Sequence, residues 1–273
     1  MHRLFVAHKP AGLSSNHFLS RLKRRYGVKK AGFSGTLDPF ASGCLIVAFG
    51  SYTKLFQFLP KTPKRYRATL WLGAKSETLD IERVESVQTM LAFHPDSLAL
   101  IFKELAGKHT YIPPRFSAKK VEGKRAYALA RADKEVSLAP VEMEIYEASL
   151  VHYVHPFLTF EVSVSEGTYV RSIGEMIAAR LGFCGALSAL ERLSEGVFAY
   201  ENERALDPCA VLGLPMNTYM GKVENVLDGK VLDSKDFTVQ TLGRYVVPFE
   251  TFFSLIEITP SGVVYLLNRM ERC

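Results

Sequence analysis

One carboxylate stands alone at the front of this chain. In "GFSGTLDPFASG", residues 32–43, Asp38 is the only acidic side chain among the first 67 residues, which carry thirteen Lys and Arg. Neighbouring cations favour the charged form of an acid, so the sequence predicts an Asp38 carboxyl held ionised at low pKa. On a basic surface such a group can act as a nucleophile, a base or a stabiliser of developing positive charge. Buried without a partner it would be strongly destabilising, so a cation must face it. The candidate is Arg171 in "SEGTYVRSI" (165–173), where a strand-like run meets a helix-like run. A guanidinium held there can grip a carboxylate with a two-pronged fork. The same pairing also suits a purely structural ion pair.

The neighbours of Asp38 extend this reading. Gly32, Gly35 and Gly43 allow another backbone, such as a phosphodiester chain, to come close. Tyr66 and Tyr169 offer flat faces on which an extruded base can stack, worth about 1–3 kcal/mol per base. Periodicity taken alone favours both as core aromatics.

Other motifs lead nowhere. Ser117-Ala-Lys-Lys120 fits S-x-x-K, but no S-D-N or K-T-G accompanies it. His152 and His155 lie three apart on a strand-like stretch, where they would face opposite ways, and no third metal ligand is suggested. Phe40 occupies the place where an aspartate-based phosphatase has its second Asp. With neither G-x-x-x-x-G-K-[ST] nor G-x-G-x-x-G present, no nucleotide cofactor and no metal are expected.

Composition narrows the class. Hydrophobic residues make up 48% and charged residues 23%, as in ordinary soluble proteins. The longest apolar run, Cys44–Phe49, cannot span a bilayer. "RLFVAHKP" reads as a strand that begins near Met1, so no leader is expected. Four scattered cysteines without C-x-x-C spacing suit a reducing cytoplasm. The net charge is +6. Cations concentrate near the N-terminus and again at 115–134, where seven Lys/Arg meet only Glu122 and Asp133. Such patches point to a polyanion such as nucleic acid.

The elements that must position these residues are legible. Residues 14–26 read as a helix capped by Ser14 or Ser15, with Phe18, Leu22 and Tyr26 on one face and Gly27 as its stop. "YRATLWL" (66–72) and "FLTFEVSVS" (157–165) alternate as half-buried strands. Residues 96–107 form an amphipathic helix capped by Asp96 or Ser97 and ended by Gly107, and another helix runs from Val170 to Leu181. Strands and helices interleave without a regular βαβ rhythm, which predicts an α+β fold with a mixed sheet. From about Leu212 the runs "TVQTL", "RYVVPF", "FSLIEI" and "GVVYLL" predict a small β-rich domain.

Five separated stretches resemble, in order, the motifs of the TruB family of pseudouridine synthases. They are "KPAGLSS" (9–15), "GFSGTLDPFASGCL" (32–45), "KRYRATLWLGAKSETLD" (64–80), "PPRFSAKKVEGKRAYALAR" (113–131) and "SEGTYVRSI" (165–173). The resemblance spans roughly residues 5–200. It implies a pseudouridine-synthase core with a mixed, mainly antiparallel sheet. It also implies isomerisation of the uridine at position 55, in the T-arm loop of tRNA, without a cofactor. Asp38 falls at the catalytic aspartate, Tyr66 at the base-stacking tyrosine, and Tyr169 and Arg171 in the active site. Lys9, Phe33, Gly35, Lys120 and Leu190 match positions expected to bind substrate.

The family pattern further implies a catalytic domain over 1–211, an RNA-clasping insertion over 113–150, and a PUA-like domain over 212–273. A monomer without an obligate protein partner, and without membrane contact, is expected. The chain departs from the pattern at Phe33 and Ser34 (His and Thr), Tyr111 (near a Gln), Met176 and Ala178 (Asp and Gly) and Glu191 (Arg). Those departures leave two rivals: an RNA-binding or RNA-folding protein on the same scaffold, and a synthase for a different RNA.

Overall fold

A computed structural model describes residues 1–117, 120–121, 124–125 and 138–272. Along the chain the strands are β1 (Arg3–Lys9), β2 (Ala31–Ser34), β3 (Ser42–Phe49), β4 (Lys64–Leu72), β5 (Ala74–Ser76), β6 (Val84–Val87), β7 (Gly107–Tyr111), β8 (Lys120–Val121), β9 (Lys124–Arg125), β10 (Val141–Val154), β11 (Phe157–Val164), β12 (Gly185–Glu195), β13 (Phe198–Ala199), β14 (Gly243–Pro248), β15 (Phe252–Thr259) and β16 (Gly262–Glu271). The principal helices are α1 (Ser15–Arg25), α2 (Pro95–Lys103) and α3 (Val170–Arg180).

Local chemistry explains these elements. In β4, Lys64, Tyr66, Ala68, Leu70 and Leu72 are buried while Arg65 and Arg67 face solvent, the two-residue period of a strand with one covered face. The Ser14 hydroxyl caps α1 by accepting from the His17 amide at 3.2 Å. Phe18 and Leu22 bury its inner face. At α2 the cap is His94, not Asp96 or Ser97, because Pro95 takes the first helical position, where no N–H is needed. That helix ends at Lys103, short of Gly107, which opens β7 instead.

Among the described residues the main sheet has nine strands. Its path runs β1-β3-β12-β4-β11-β10-β7, with β2 added on β3 and β13 on β12. Among the described strands its pairs are antiparallel except β12 with β3, which run parallel through Glu191↔Ser42 and Arg192↔Gly43. The predicted α+β class with a mixed, mainly antiparallel sheet therefore holds. Leu98 and Phe102 of α2, with Ile173 and Ile177 of α3, cover Leu70 and Phe160 on one face of the sheet. Each such fully buried Leu, Ile or Phe contributes about 1.5–3 kcal/mol.

Beyond Leu212, β14, β15 and β16 form a separate antiparallel sheet. Val246, Phe253, Leu255 and Met270 pack into a core shared with Leu4, Val6 and Ile46. "TVQTL" is not a strand. The Asn217 side chain accepts from the Val239 amide and donates to the Val239 carbonyl, so that segment is tied to a side chain rather than to a ladder. Among the described residues no helix is long and apolar enough to cross a membrane.

Candidate active site

The loop from Gly35 to Ala41 joins β2 to β3, beside the point where β12 runs parallel to β3. Gly35 opens it at φ +65°, a conformation that disfavours side chains. Three ties then fix its course. The Ser15 hydroxyl accepts from the Leu37 amide at 2.9 Å and donates to the Leu37 carbonyl at 3.0 Å. The Gly12 amide donates to the Pro39 carbonyl at 2.8 Å, and Ala41 to that of Asp38 at 3.1 Å. Leu37 is buried, which leaves Asp38 turned toward a cavity. The "KPAGLSS" segment is thus a brace beneath the loop.

Arg171 enters from the first turn of α3. Its Nη2 lies 3.0 Å from Asp38 Oδ2, and its Nη1 lies 3.5 Å from Asp80 Oδ2. Nη1 also donates to the Thr78 carbonyl at 2.8 Å, and Nη2 to that of Phe116 at 2.9 Å. Four acceptors hold a guanidinium whose side chain is 3% exposed. Tyr169, one residue before α3, is set by Tyr111. The Tyr169 amide donates to the Tyr111 hydroxyl at 3.2 Å, and that hydroxyl donates to the Gly167 carbonyl at 3.4 Å. Burial pushes the Tyr111 phenol up to about 12, so it stays a neutral donor.

Asp38 is reachable, with 35% of its side chain exposed. Gly35, Thr36, Leu37, Asp38 and Arg171 form a wall shared by two adjoining cavities. The larger, about 730 Å³, extends past Phe33, Ser14 and Asn16 to Arg83 and Phe116. The smaller, about 260 Å³, is closed by Tyr66, Tyr169, Leu190, Lys64 and Arg192. A single nucleobase fits the smaller space, with aromatic and aliphatic walls and the Asp38 and Glu166 carboxylates among its lining.

The predicted low pKa is not what this setting produces. Burial pushes the Asp38 carboxyl above its ordinary value, and Asp80 adds to that push, against the pull of Arg171 and Lys9. Although a third of the side chain is open, protein crowds the carboxyl group closely enough that lost hydration outweighs two cations.

The residue range 23–170 matches the family model described as TruB family pseudouridylate synthase, N-terminal domain. Over 273 residues, all of both chains, the sequence is 55% identical to the tRNA pseudouridine synthase B of Campylobacter concisus (strain 13826).

The chain belongs to the TruB family.

It is accordingly a pseudouridine synthase, an isomerase. The tRNA pseudouridine synthase B of Helicobacter hepaticus is 51% identical over 273 residues, covering 98% of this chain and 95% of the relative. In fold the chain is similar to one in a solved Cbf5-Nop10-Gar1 complex, at TM-score 0.68 and 19% identity, over 99% of this chain and 84% of that one. Asp38, Tyr66 and Tyr169 lie inside the matched range, while Arg171 and Leu190 lie beyond it.

Of the residues singled out from TruB motifs, Asp38, Arg171, Tyr66, Tyr169, Leu190, Gly35 and Phe33 all line the two cavities. Lys9 does not. It is fully buried under the loop and donates to the carbonyls of Pro10, Leu13 and Pro39 at 2.8, 2.7 and 3.5 Å. Lys120 begins the short strand β8, and its side chain lies outside the described residues, as do residues 118–119, 122–123 and 126–137 of the proposed clasp. Sequence reasoning overlooked Ser15 and Asp80. Both stand inside quoted motifs, but Arg171 lies 91 residues beyond Asp80, so no local signal marked that pairing.

The basic end of α1 is only partly free. Arg25 pairs with Glu203, which also accepts from the Tyr26 hydroxyl. Arg21, Lys23, Arg24, Lys29 and Lys30 have no carboxylate partner among the described residues. Arg21, where that run starts, lies five residues beyond Asn16 at the larger cavity, about 8 Å along the helix axis at 1.5 Å per residue.

Proposed function

We propose that this enzyme converts uridine to pseudouridine at position 55 in the T-arm loop of tRNA, with Asp38 as the reacting carboxylate. Its relatives' name, tRNA pseudouridine synthase B, supports tRNA as the substrate. One observation carries the role of Asp38. It is an accessible carboxylate 3.0 Å from a buried guanidinium, on the rim of a base-sized cavity that also holds Tyr66.

The reaction breaks N1–C1′, turns the uracil and joins C5 to C1′, and the C5 proton moves off as N1 gains one. Atoms and electrons balance without a redox partner. The uridine first leaves its stack, at a cost of a few kcal/mol. The uracil enters the smaller cavity against Tyr66, with Leu190 and Tyr169 closing it, and the flanking strand follows the larger cavity past Phe33. Asp38 acts at the sugar or the ring as nucleophile or base, aimed by Arg171. Tyr66, in the cavity lining, stacks on the ring and assists loss of the C5 proton. The unpaired cations at the end of α1 hold phosphates. Residues 212–273 form a small domain, with six Lys/Arg against seven Asp/Glu, so any RNA contact it makes is not driven by net charge. The setting is the cytoplasm, and the enzyme works as a monomer.

Pseudouridine formation on an unmodified tRNA transcript, mapped chemically, tests this reading. Wild type should modify the T-loop uridine, and Asp38→Asn should bind the transcript yet form none. Binding by wild type without product would favour an RNA-folding role, and product at another uridine would favour another site.

A further inference from the structure

A second buried ion cluster lies beneath the turn that presents Asp38. Glu195, at the end of β12, is 0% exposed, with Oε1 2.9 Å from Arg192 Nη2 and Oε2 3.1 Å from Lys64 Nζ. Neither contact has hydrogen-bond alignment, so the carboxylate is held there by charge. Arg192, 1% exposed, spends its other donors on backbone. Nε donates to the Cys44 carbonyl at 2.8 Å, and Nη2 donates to the Gly35 carbonyl at 3.0 Å. Gly35 opens the Asp38 loop and Cys44 follows it, so one guanidinium staples the two ends of the segment that carries the reacting group.

The fit is close. A Cβ on Gly35 would lie 3.0 Å from both Arg192 Nη1 and Glu195 Oε2, and one on Gly43 would lie 2.3 Å from the Arg192 carbonyl oxygen. The loop therefore sits between two ion clusters. Arg171 stands between Asp38 and Asp80 on one side, and Glu195 between Arg192 and Lys64 on the other. Buried ion pairs usually add little stability over apolar packing, so a cost accepted directly under a reacting group has a geometric use.

We propose that Glu195 is a positioning residue for isomerisation, acting through Arg192 to fix the Gly35–Cys44 segment and hence the aim of Asp38. The activity half of this inference rests on the reaction proposed above, and the structural half does not. Glu195→Gln keeps the shape and removes the charge, which leaves Arg192 without a carboxylate and Lys64 with only the partly exposed Glu166 at 4.0 Å. Arg192→Lys keeps a charge for Glu195 but cannot reach both carbonyls.

In both variants the single-turnover rate per folded enzyme at saturating transcript should fall about tenfold or more, because small displacements of reacting groups are that costly. Transcript affinity should stay near wild type in Glu195→Gln, whose side chain lines neither cavity. Hydrogen exchange at the amides of residues 35–41 should accelerate, while exchange across β4 and β11 should not. Wild-type rates in both variants, a loss confined to affinity, or loop exchange unchanged would overturn the proposal. A wild-type enzyme that forms no pseudouridine would overturn the reaction instead, and the exchange measurement would still decide the positioning role.

Discussion

Replacing Arg171 by Met removes a cation that serves four acceptors at once and is 3% exposed. Two of those acceptors are carboxylates. Asp80 is 4% exposed and would be left as a buried charge facing Met. Two more are the carbonyls of Thr78 and Phe116. Removing one partner of a buried pair destabilises by about 3–5 kcal/mol. Asp38 adds little to that figure, because its side chain is one-third open to solvent. Against a total stability of about 5–15 kcal/mol, the loss is large.

Asp38→Asn, at the other end of the same ion pair, should behave oppositely. The folded protein holds the Asp38 proton more tightly than the unfolded chain does, because its carboxyl is pushed up. Its contribution is therefore lost as pH rises through the folded pKa, and at neutral pH its ionisation weakens the fold. An amide removes that penalty, so Asp38→Asn should be as stable as wild type or more so, while inactive. Urea unfolding followed by circular dichroism measures both variants, read from the midpoint at constant m. Arg171→Met within about 1 kcal/mol of wild type would refute the assignment of Arg171 as the buried keystone. Asp38→Asn losing as much as Arg171→Met would refute the direction of the Asp38 shift.

The same upward shift sets a pH dependence. If the ionised carboxylate reacts, single-turnover rates should fall on acidification with a midpoint above that of an ordinary aspartate, and a midpoint at or below it would contradict the burial. Lys9, pushed down to about 8 by burial, gives the reverse sign in stability. Between about 8 and 10.5 the unfolded chain holds the proton that the folded chain has lost, so wild type should gain stability relative to Lys9→Met as pH rises through that window in parallel urea titrations. Gly35→Ala should cost about 1–2 kcal/mol for its left-handed backbone alone, with a further loss of activity from contact with Arg192 and Glu195, both read from melts and turnover. Replacing Arg21 and Arg24 by Gln should flatten the salt dependence of transcript binding by about one unit of slope for each lost phosphate contact; an unchanged slope would move the phosphate path away from α1.

Much was determined by sequence alone. Period-two burial in β4, the Ser14 cap of α1 and the five ordered motifs are local properties, written in consecutive residues and readable without coordinates. They sufficed for the fold class, the family and the choice of Asp38, Tyr66 and Arg171. Tertiary structure decided what depends on separation in space. Arg171 meets Asp38 across 133 residues of chain, and only packing shows that Asp80 shares it. A lysine motif residue, Lys9, became a brace because the loop folded over it. Desolvation is set by what surrounds a group from every direction, so the sign of the Asp38 shift could not be read from its neighbours along the chain. Glu195 looks like one more acid at the end of a strand until β3, β4 and β12 close around it, and there its charge acquires a use.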